Sequence, residues 1–244
     1  MSKLKTISEE QAFLEAYNPA EFDRPSVTVD LVLLAPDDEG LLTLVLRRPE
    51  HPHKGRWALP GGFVGISESL ETAAQRVLHE KTGLKGIFLE QLYTFGDPKR
   101  DPRMRVMSVA HMALVPREKF KGLRAESGQV ARVEVPWAGE EGGSIALLDQ
   151  AGQRLQLAFD HEHIIALAIK RLRGKVDYSP VAFQLLPEAF TLFQLQKIHQ
   201  AILGRQLNKD SFRRRMLATE LLEPTGEVQV GVGHRPAALY RFVH

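Results

Sequence analysis

The sequence contains no cysteine. That absence excludes disulfides, thiolate metal sites and cysteine nucleophiles, and it fits a reducing compartment. Long apolar runs are also missing. No stretch approaches the roughly 18 residues needed to span a bilayer. The N-terminal "MSKLKTISEEQAFLEAYNP" carries acids early and lacks the apolar core of a secretory signal. A cytoplasmic protein with no membrane partner is expected. Net charge is small, +2, but unevenly placed. From Ser179 onward 8 Lys and Arg face 5 Asp and Glu, a surplus of three, whereas the first 178 residues hold 24 against 25. The C-terminal part therefore carries the positive excess, a pointer to a polyanionic partner. Core material is not scarce: 43% of the 244 residues are hydrophobic, enough for one large domain or two smaller ones.

Patterning supplies the elements. "SVTVDLVLL" (residues 26–34) alternates and then runs apolar, which predicts a buried strand. "PDDEG" is a turn and "LLTLVLRR" a second strand, so the pair forms a hairpin. A loop dense in Pro and Gly follows, then a helix capped by Ser67, with Leu70, Ala74 and Leu78 on its buried stripe and Gly83 ending it. Strands are expected within "GIFLEQLYTFG", "RVMSVAHMALVP" and "VARVEVPW". From Asp160 the texture becomes helical, with Ile164, Ile165, Ala168 and Leu172 on one face. "KVDYSP" marks a boundary. Beyond it lie two short helices capped by Thr191 and Asn208, and a Gly-rich hairpin in "GEVQVGVGHRPAALYRF". Strands outnumber helices and enclose one of them, which indicates an α+β or α/β layered fold, of which α+β is the expected class. The expected division is residues 1–159, a connecting helix and linker at 160–178, and a C-terminal domain at 179–244.

One stretch carries chemistry. "GGFVGISESLETAAQRVLHEKTGL" (residues 61–84) resembles the Nudix signature in its spacing and both glycines, with Gly62, Glu68, Arg76, Glu80 and Gly83 in register. The resemblance implies a Nudix-type α/β/α sandwich. It also implies a helix face of three carboxylates binding a divalent metal, for which hard oxygen ligands suit magnesium. This chain has Val77, Glu80 and Lys81 there, so a face of formal charge −3 becomes neutral. Magnesium binding should be weak at best, and no cofactor is required. Lys81 stands where the metal charge would lie and, with Arg76, is a candidate for meeting a diphosphate directly. The bland reading is a solvated lysine on an exposed helix face. Gly61 and Gly62, with Glu80, complete this candidate site. "YTFGDPKRDPRMRVMSVAHMAL" is similar to the corresponding segment of ADP-ribose-directed Nudix proteins, and Phe95, Arg100 and Arg103 are candidates to stack on or pair with a nucleotide, Arg100 being preferred to Arg103. The alternative there is a surface loop whose charges pair among themselves.

The C-terminal order of helix, loop, helix and hairpin is that of a winged helix. "KDSFRRRML" places Arg213, Arg214 and Arg215 in succession, spread around the helix at 100° per residue. With Phe212, Met216 and Leu217 as the core stripe, Lys209, Ser211, Arg214 and Arg215 are the candidate DNA-facing residues. Thr191 and Gln194 at the preceding helix start, and His234 and Arg235 at the hairpin tip, are candidate phosphate or groove contacts. A small helical cap with arginines for solubility is the competing reading.

"RPSVTVDLVLL", "HPHKGRWALPGGFVG", "YSPVAFQLLPEAFTLFQLQKIHQAILG", "FRRRMLATELLEPTGE" and "GHRPAALYRF" together resemble the NrtR-type Nudix-related transcriptional regulators. That resemblance implies a homodimeric repressor on a palindromic DNA operator. It implies ADP-ribose or another NAD-derived nucleotide as effector, and control of NAD metabolism or, in some members, of sugar catabolism. An active ADP-ribose pyrophosphatase is the alternative. It would need ligands elsewhere, for instance Glu126, Glu134, Glu140 or Glu141.

Overall fold

The computed structural model describes residues 8–120, 128–231, 233 and 235–243. In chain order the elements are α1 (Glu9–Ala16), β1 (Ser26–Asp37), β2 (Gly40–Arg47), β3 (Trp57–Ala58), β4 (Gly61–Phe63), α2 (Leu70–Thr82), β5 (Glu90–Phe95), β6 (Val106–Leu114), α3 (Arg117–Phe120), β7 (Gly128–Glu134) and β8 (Ala146–Leu148). Then follow α4 (His161–Lys175), β9 (Phe190–Thr191), α5 (Leu192–Leu203), α6 (Lys209–Leu217), β10 (Leu222–Val228) and β11 (Ala238–Phe242).

A mixed sheet runs β5-β6-β1-β2-β7-β8, with β3 on β2 and β4 on β1. β1 is central and pairs with β6 in parallel, β2 antiparallel and β4 antiparallel. Its alternating side chains explain its composition. Val29, Leu31, Leu33 and Ala35 pack with α2 on one face, while Val32 and Leu34 belong to the cluster containing α4 on the other. A strand buried on both faces reads as a near-continuous apolar run. Helices on both faces make the sheet an α/β/α sandwich, as expected. The β1–β2 hairpin closes at the Asp37–Gly40 pair, so its loop is Asp38-Glu39.

Several boundaries differ from expectation. The cap of α2 is Ser69, whose hydroxyl accepts from the Thr72 amide at 3.2 Å, not Ser67. Gly83 ends α2 in the left-handed conformation, φ 75°. The second strand of the C-terminal hairpin begins at Ala238, and the first begins at Leu222, ahead of Gly226. Leu217 is 40% exposed and lies outside the core stripe of Phe212 and Met216. Short β3, β4, β8 and β9 carry too few residues for a periodic signal.

The C-terminal part has α5 and α6 packed over the three-stranded sheet β10-β11-β9, the winged-helix arrangement. Thr191 caps α5 through a capping box with Gln194. Asn208 caps α6, its Oδ1 accepting from the Asp210 and Ser211 amides. The helix at 161–175 is no exposed tether. Ile164, Ile165, Ala168, Ile169 and Leu172 are fully buried, in one hydrophobic cluster that runs from Val32 and Met112 of the large sheet to Phe190, Ile202, Phe212 and Tyr240. No described helix is long and apolar enough to cross a membrane.

Candidate functional site: a nucleotide pocket and a nucleic-acid cleft

The diphosphate helix is shaped by its loop. Glu68 accepts from the Gly65 amide at 2.6 Å and forms a two-point pair with Arg76, at 3.0 Å from Nε and 2.6 Å from Nη2. Arg76 also donates to the Phe63 carbonyl at 2.9 Å and to Glu80 at 3.2 Å. The Arg76 guanidinium, helped by the Gly65 amide, holds the Glu68 carboxyl down at about 2. Arg76 is thus committed to bracing the loop from Gly61 to Ser69. Val77 is 1% exposed and packs in the core beneath Gly62, where an added Cβ would lie 2.9 Å from Val77 Cγ2. Glu80 and Lys81 are exposed, and Lys81 forms no ion pair among the described residues.

The divalent metal that the fold family implies does not suit this donor set. Val77 offers no ligand, Glu80 is engaged by Arg76, and Lys81 adds repulsion. No group of three or more His, Asp or Glu side chains arranged to hold a metal occurs among the described residues. Of the alternative acids, Glu134 ends β7 and Glu140 lies against Gly174 in the last turn of α4. Glu141 is exposed, and Glu126 lies outside the described residues.

A pocket of about 710 Å³ opens between β5, the loop after it and the start of α4. Its wall is aromatic: Tyr93 and Phe95 meet edge to face at 5.5 Å, Phe95 meets His163 at 5.5 Å, and His53 meets Phe159 at 4.9 Å. Its polar groups include Lys99, Arg100, Asp97 and Asp160. His53 and Phe159 both adopt left-handed backbone, φ 61° and 53°, conformations that cost energy in residues with a Cβ and cluster at ligand sites.

Arg100 lies at the floor. Its Nε and Nη2 donate to Asp160 at 2.9 and 2.8 Å, and Nη2 lies 3.5 Å from Asp30. The loop charges therefore do not simply pair among themselves: only Asp101 does so, with Arg103 at 2.8 Å. Asp30 also accepts from the Ser108 hydroxyl and backs Gly61, where a Cβ would overlap its Oδ1. His161 Nδ1 accepts from the Leu59 amide at 2.9 Å, which leaves the proton on Nε2, 3.8 Å from Asp30. Burial lowers the His161 pKa, so the ring stays neutral.

Of the seven preferred candidate effector residues, Phe95 and Arg100 line this pocket, and Gly61 packs on Asp30, which lies behind Arg100. Gly62, Arg76, Glu80 and Lys81 do not line it. Sequence reading missed Tyr93, His163, Phe159 and Asp160, which reach the pocket from positions up to 70 residues apart. Histidine and phenylalanine at "FDHEH" were the available signal.

The second site is a cleft of about 1140 Å³ between α5, α6 and the hairpin. Lys197, Lys209, Arg213 and Arg235 line it, together with Gln194, Gln200, Gln206 and Gln229, and no acidic side chain does among the described residues. Among the DNA candidates, Gln194, Lys209 and Arg235 face this cleft, while Ser211 and Arg214 are exposed on α6. Two corrections follow. Thr191 borders the cleft but is only 2% exposed, and its hydroxyl caps α5 by accepting from the Gln194 amide at 3.2 Å. Arg215 turns away to pair with Asp177 at 3.0 Å. His234 lies outside the described residues. Arg213, absent from the expected set, faces the cleft beside Lys209, its i−4 neighbour.

Known proteins share both halves. The NUDIX domain profile matches residues 24–155, and the NrtR DNA-binding winged helix domain profile matches residues 182–242. The chain is 38% identical over 244 residues to the "ADPR responsive transcriptional repressor NtrR" of Acinetobacter baylyi, covering 99% of this chain and 92% of that protein. The crystal structure of Shewanella oneidensis NrtR complexed with a 27mer DNA superposes with a TM-score of 0.70 at 35% identity, over 89% of this chain and 93% of that one. The NUDIX domain of the same protein complexed with ADP ribose matches with a TM-score of 0.50 at 33% identity, over 68% of this chain and 99% of that one. With a Nudix domain and an NrtR winged helix in sequence, and a repressor relative along nearly its whole length, this chain belongs to the NrtR family of Nudix-related transcriptional regulators.

Proposed function

We propose that this chain is a DNA-binding repressor whose Nudix domain senses ADP-ribose, or a related NAD-derived nucleotide, without cleaving it. The observation that carries the reading is one conjunction. Helix α2, with two signature carboxylates replaced, shares a chain with a cleft that gathers four cationic side chains and, among the described residues, no acid. Removing carboxylates weakens metal-assisted hydrolysis and leaves binding possible. Lys209 and Arg213 meet phosphates and base edges from the N-terminal half of α6, and Arg235 reaches DNA from the hairpin. The nucleobase stacks on Tyr93, Phe95 and His163, while Lys99 attracts the nucleotide's phosphates and Arg100 offsets the Asp160 and Asp30 charges at the floor. Gly61 and Gly62 let β4 close on Asp30 and Val77, and the exposed Lys81 adds positive charge on α2, outside the lining of the pocket.

Residues 1–159 act as the sensor, 160–178 as the connection and 179–244 as the DNA-binding part. The active species is a cytoplasmic homodimer with recognition helices about 34 Å apart on a palindrome. An effector that favours a different spacing releases the DNA by its differential affinity. Genes of NAD metabolism are the expected targets. The test is a mobility-shift assay on the DNA upstream of the chain's own gene, titrated with ADP-ribose, beside a chromatographic assay for AMP and ribose 5-phosphate formed from ADP-ribose with magnesium. Binding that ADP-ribose relieves, with no turnover, supports the proposal. Robust turnover without DNA binding overturns it in favour of a pyrophosphatase.

A further inference from the structure

Helix α4 is held at both ends by ion pairs. At its start Asp160 grips Arg100 in the pocket, and His163 lies against Phe95. About 22 Å further on, the rise of 15 residues, it meets the winged helix. There Arg173, 7% exposed, donates to the Ile202 carbonyl of α5 at 3.0 Å and to the Trp137 carbonyl at 2.7 Å, and stacks 4.7 Å over the Trp137 ring. Just past the helix, Asp177 reaches both helices of the winged domain. Its Oδ2 accepts from Arg215 Nη1 of α6 at 3.0 Å, and its Oδ1 lies 3.6 Å from His199 Nδ1 of α5. His199 is 2% exposed and meets the Phe212 ring of α6 edge to face at 5.1 Å.

This contact is incompletely satisfied. His199 Nδ1 and Arg215 Nε are both buried without a hydrogen-bond partner among the described residues, and both belong to groups that face Asp177. Two unpaired polar atoms around one carboxylate are costly in a single arrangement. A displacement of under about 1 Å would bring Oδ1 into hydrogen-bond range of His199, and a rotation of the pair would let Arg215 donate from Nε as well. Such a joint offers alternative pairings within reach of one carboxylate, between which small shifts at one end of a rigid helix can select.

We propose that Asp177 is the positioning residue through which α4 sets the orientation of the recognition helix α6, by holding Arg215 and His199 at the opposite end of the helix that holds Arg100. Arg215 is then a joint of the sensor and not a reader of bases. The inference rests on the ligand-responsive repressor reading for its effector arm, but its core is independent of the effector: Asp177 and Arg215 act on DNA affinity as one unit.

The experiment uses the full chain and measures DNA affinity, with and without saturating ADP-ribose, for the wild type, Asp177→Ala, Asp177→Glu, Arg215→Gln and the Asp177→Ala/Arg215→Gln double variant. ADP-ribose affinity is measured calorimetrically and folding by thermal unfolding. The two single variants are expected to shift DNA affinity by similar factors, and the double variant to be within about twofold of either one. The ratio of DNA affinities without and with ADP-ribose should shrink at least fivefold in Asp177→Ala and recover in Asp177→Glu, while ADP-ribose affinity stays within twofold. Additive losses in the double variant overturn the inference, because Arg215 then contacts DNA by itself. An unaltered ratio in Asp177→Ala also overturns it. If wild-type DNA binding ignores ADP-ribose, the effector reading fails, and the double-variant comparison alone decides the joint. Should Asp177→Ala fail to fold, Asp177→Asn takes its place in the same comparison.

Discussion

Replacing Arg100 by methionine tests the centre of the pocket. The side chain is 5% exposed and faces Asp160, 20% exposed, and Asp30, 9% exposed. Methionine keeps most of the stem volume and removes the charge. Two charge-assisted hydrogen bonds at 2.9 and 2.8 Å disappear, and two carboxylates lose their common cation. Breaking a buried pair by deleting one partner costs about 3–5 kcal/mol. The partial exposure of Asp160 and the Ser108 hydroxyl still donating to Asp30 place this case near about 3 kcal/mol. For a chain of this size that lowers Tm by about 6–12 °C. His161 moves in a defined direction. The Arg100 charge helps to lower its pKa and Asp30 raises it, so the variant's His161 should protonate at higher pH than in the wild type. Urea denaturation gives the energy, and an NMR titration of the imidazole gives the pKa. Adding Asp160→Asn should recover at least about 1 kcal/mol, since the two residues share one interaction. A loss below about 1 kcal/mol for Arg100→Met, with additive behaviour in the double variant, would refute the claim that Arg100 neutralises this floor.

Three further outcomes are expected. Restoring the signature with Val77→Glu and Lys81→Glu should cost at least about 2 kcal/mol without metal, because a 1%-exposed apolar side chain beneath Gly62 becomes a carboxylate; millimolar magnesium should recover stability in the variant but not in the wild type, read by thermal unfolding. Burial lowers His199 from its ordinary 6.5 to about 4 against the opposing pull of Asp177, so the unfolded chain takes up the proton first as pH falls; stability holds above pH about 6.5 and declines towards pH about 4 by at most roughly 3 kcal/mol, and urea midpoints across that window should decline less in His199→Asn than in the wild type. Lys209→Ala and Arg213→Ala should each flatten the slope of log Kd against log salt by about 1 in filter-binding titrations, whereas Arg215→Gln leaves that slope unchanged.

Local signals in the chain were dependable where the cause was local. The apolar run of β1, the left-handed stop at Gly83 and the caps at Thr191 and Asn208 depend on a few adjacent residues, and each was legible, whereas the α2 stripe held at Ala74 and Leu78 but not at half-buried Leu70, with Val77 buried instead. The same holds for the loss of carboxylate charge at Val77 and Lys81, which is a property of residue identity. Ser67 and Ser69 could not be told apart by type, because which hydroxyl caps α2 depends on the path of the loop braced by Glu68 and Arg76.

Partnership across the chain was decided by the tertiary structure. Arg100 sits among Asp97, Lys99 and Asp101 in sequence, yet it pairs with Asp160, 60 positions away, because β5 and the start of α4 enclose one pocket. Arg215 looks like its neighbours Arg213 and Arg214, but helical rotation turns it onto Asp177, 38 positions away, and leaves Arg213 for the cleft. Thr191 has the chemistry of a phosphate contact and the burial of a cap. Composition and periodicity thus determined the strands, the helices and the positive excess of the C-terminal part, and the motif resemblance implied a Nudix sandwich with a neutralised metal face and a winged helix. Which arginine binds what, and that a buried helix joins the two halves, was set only when packing brought distant carboxylates to them.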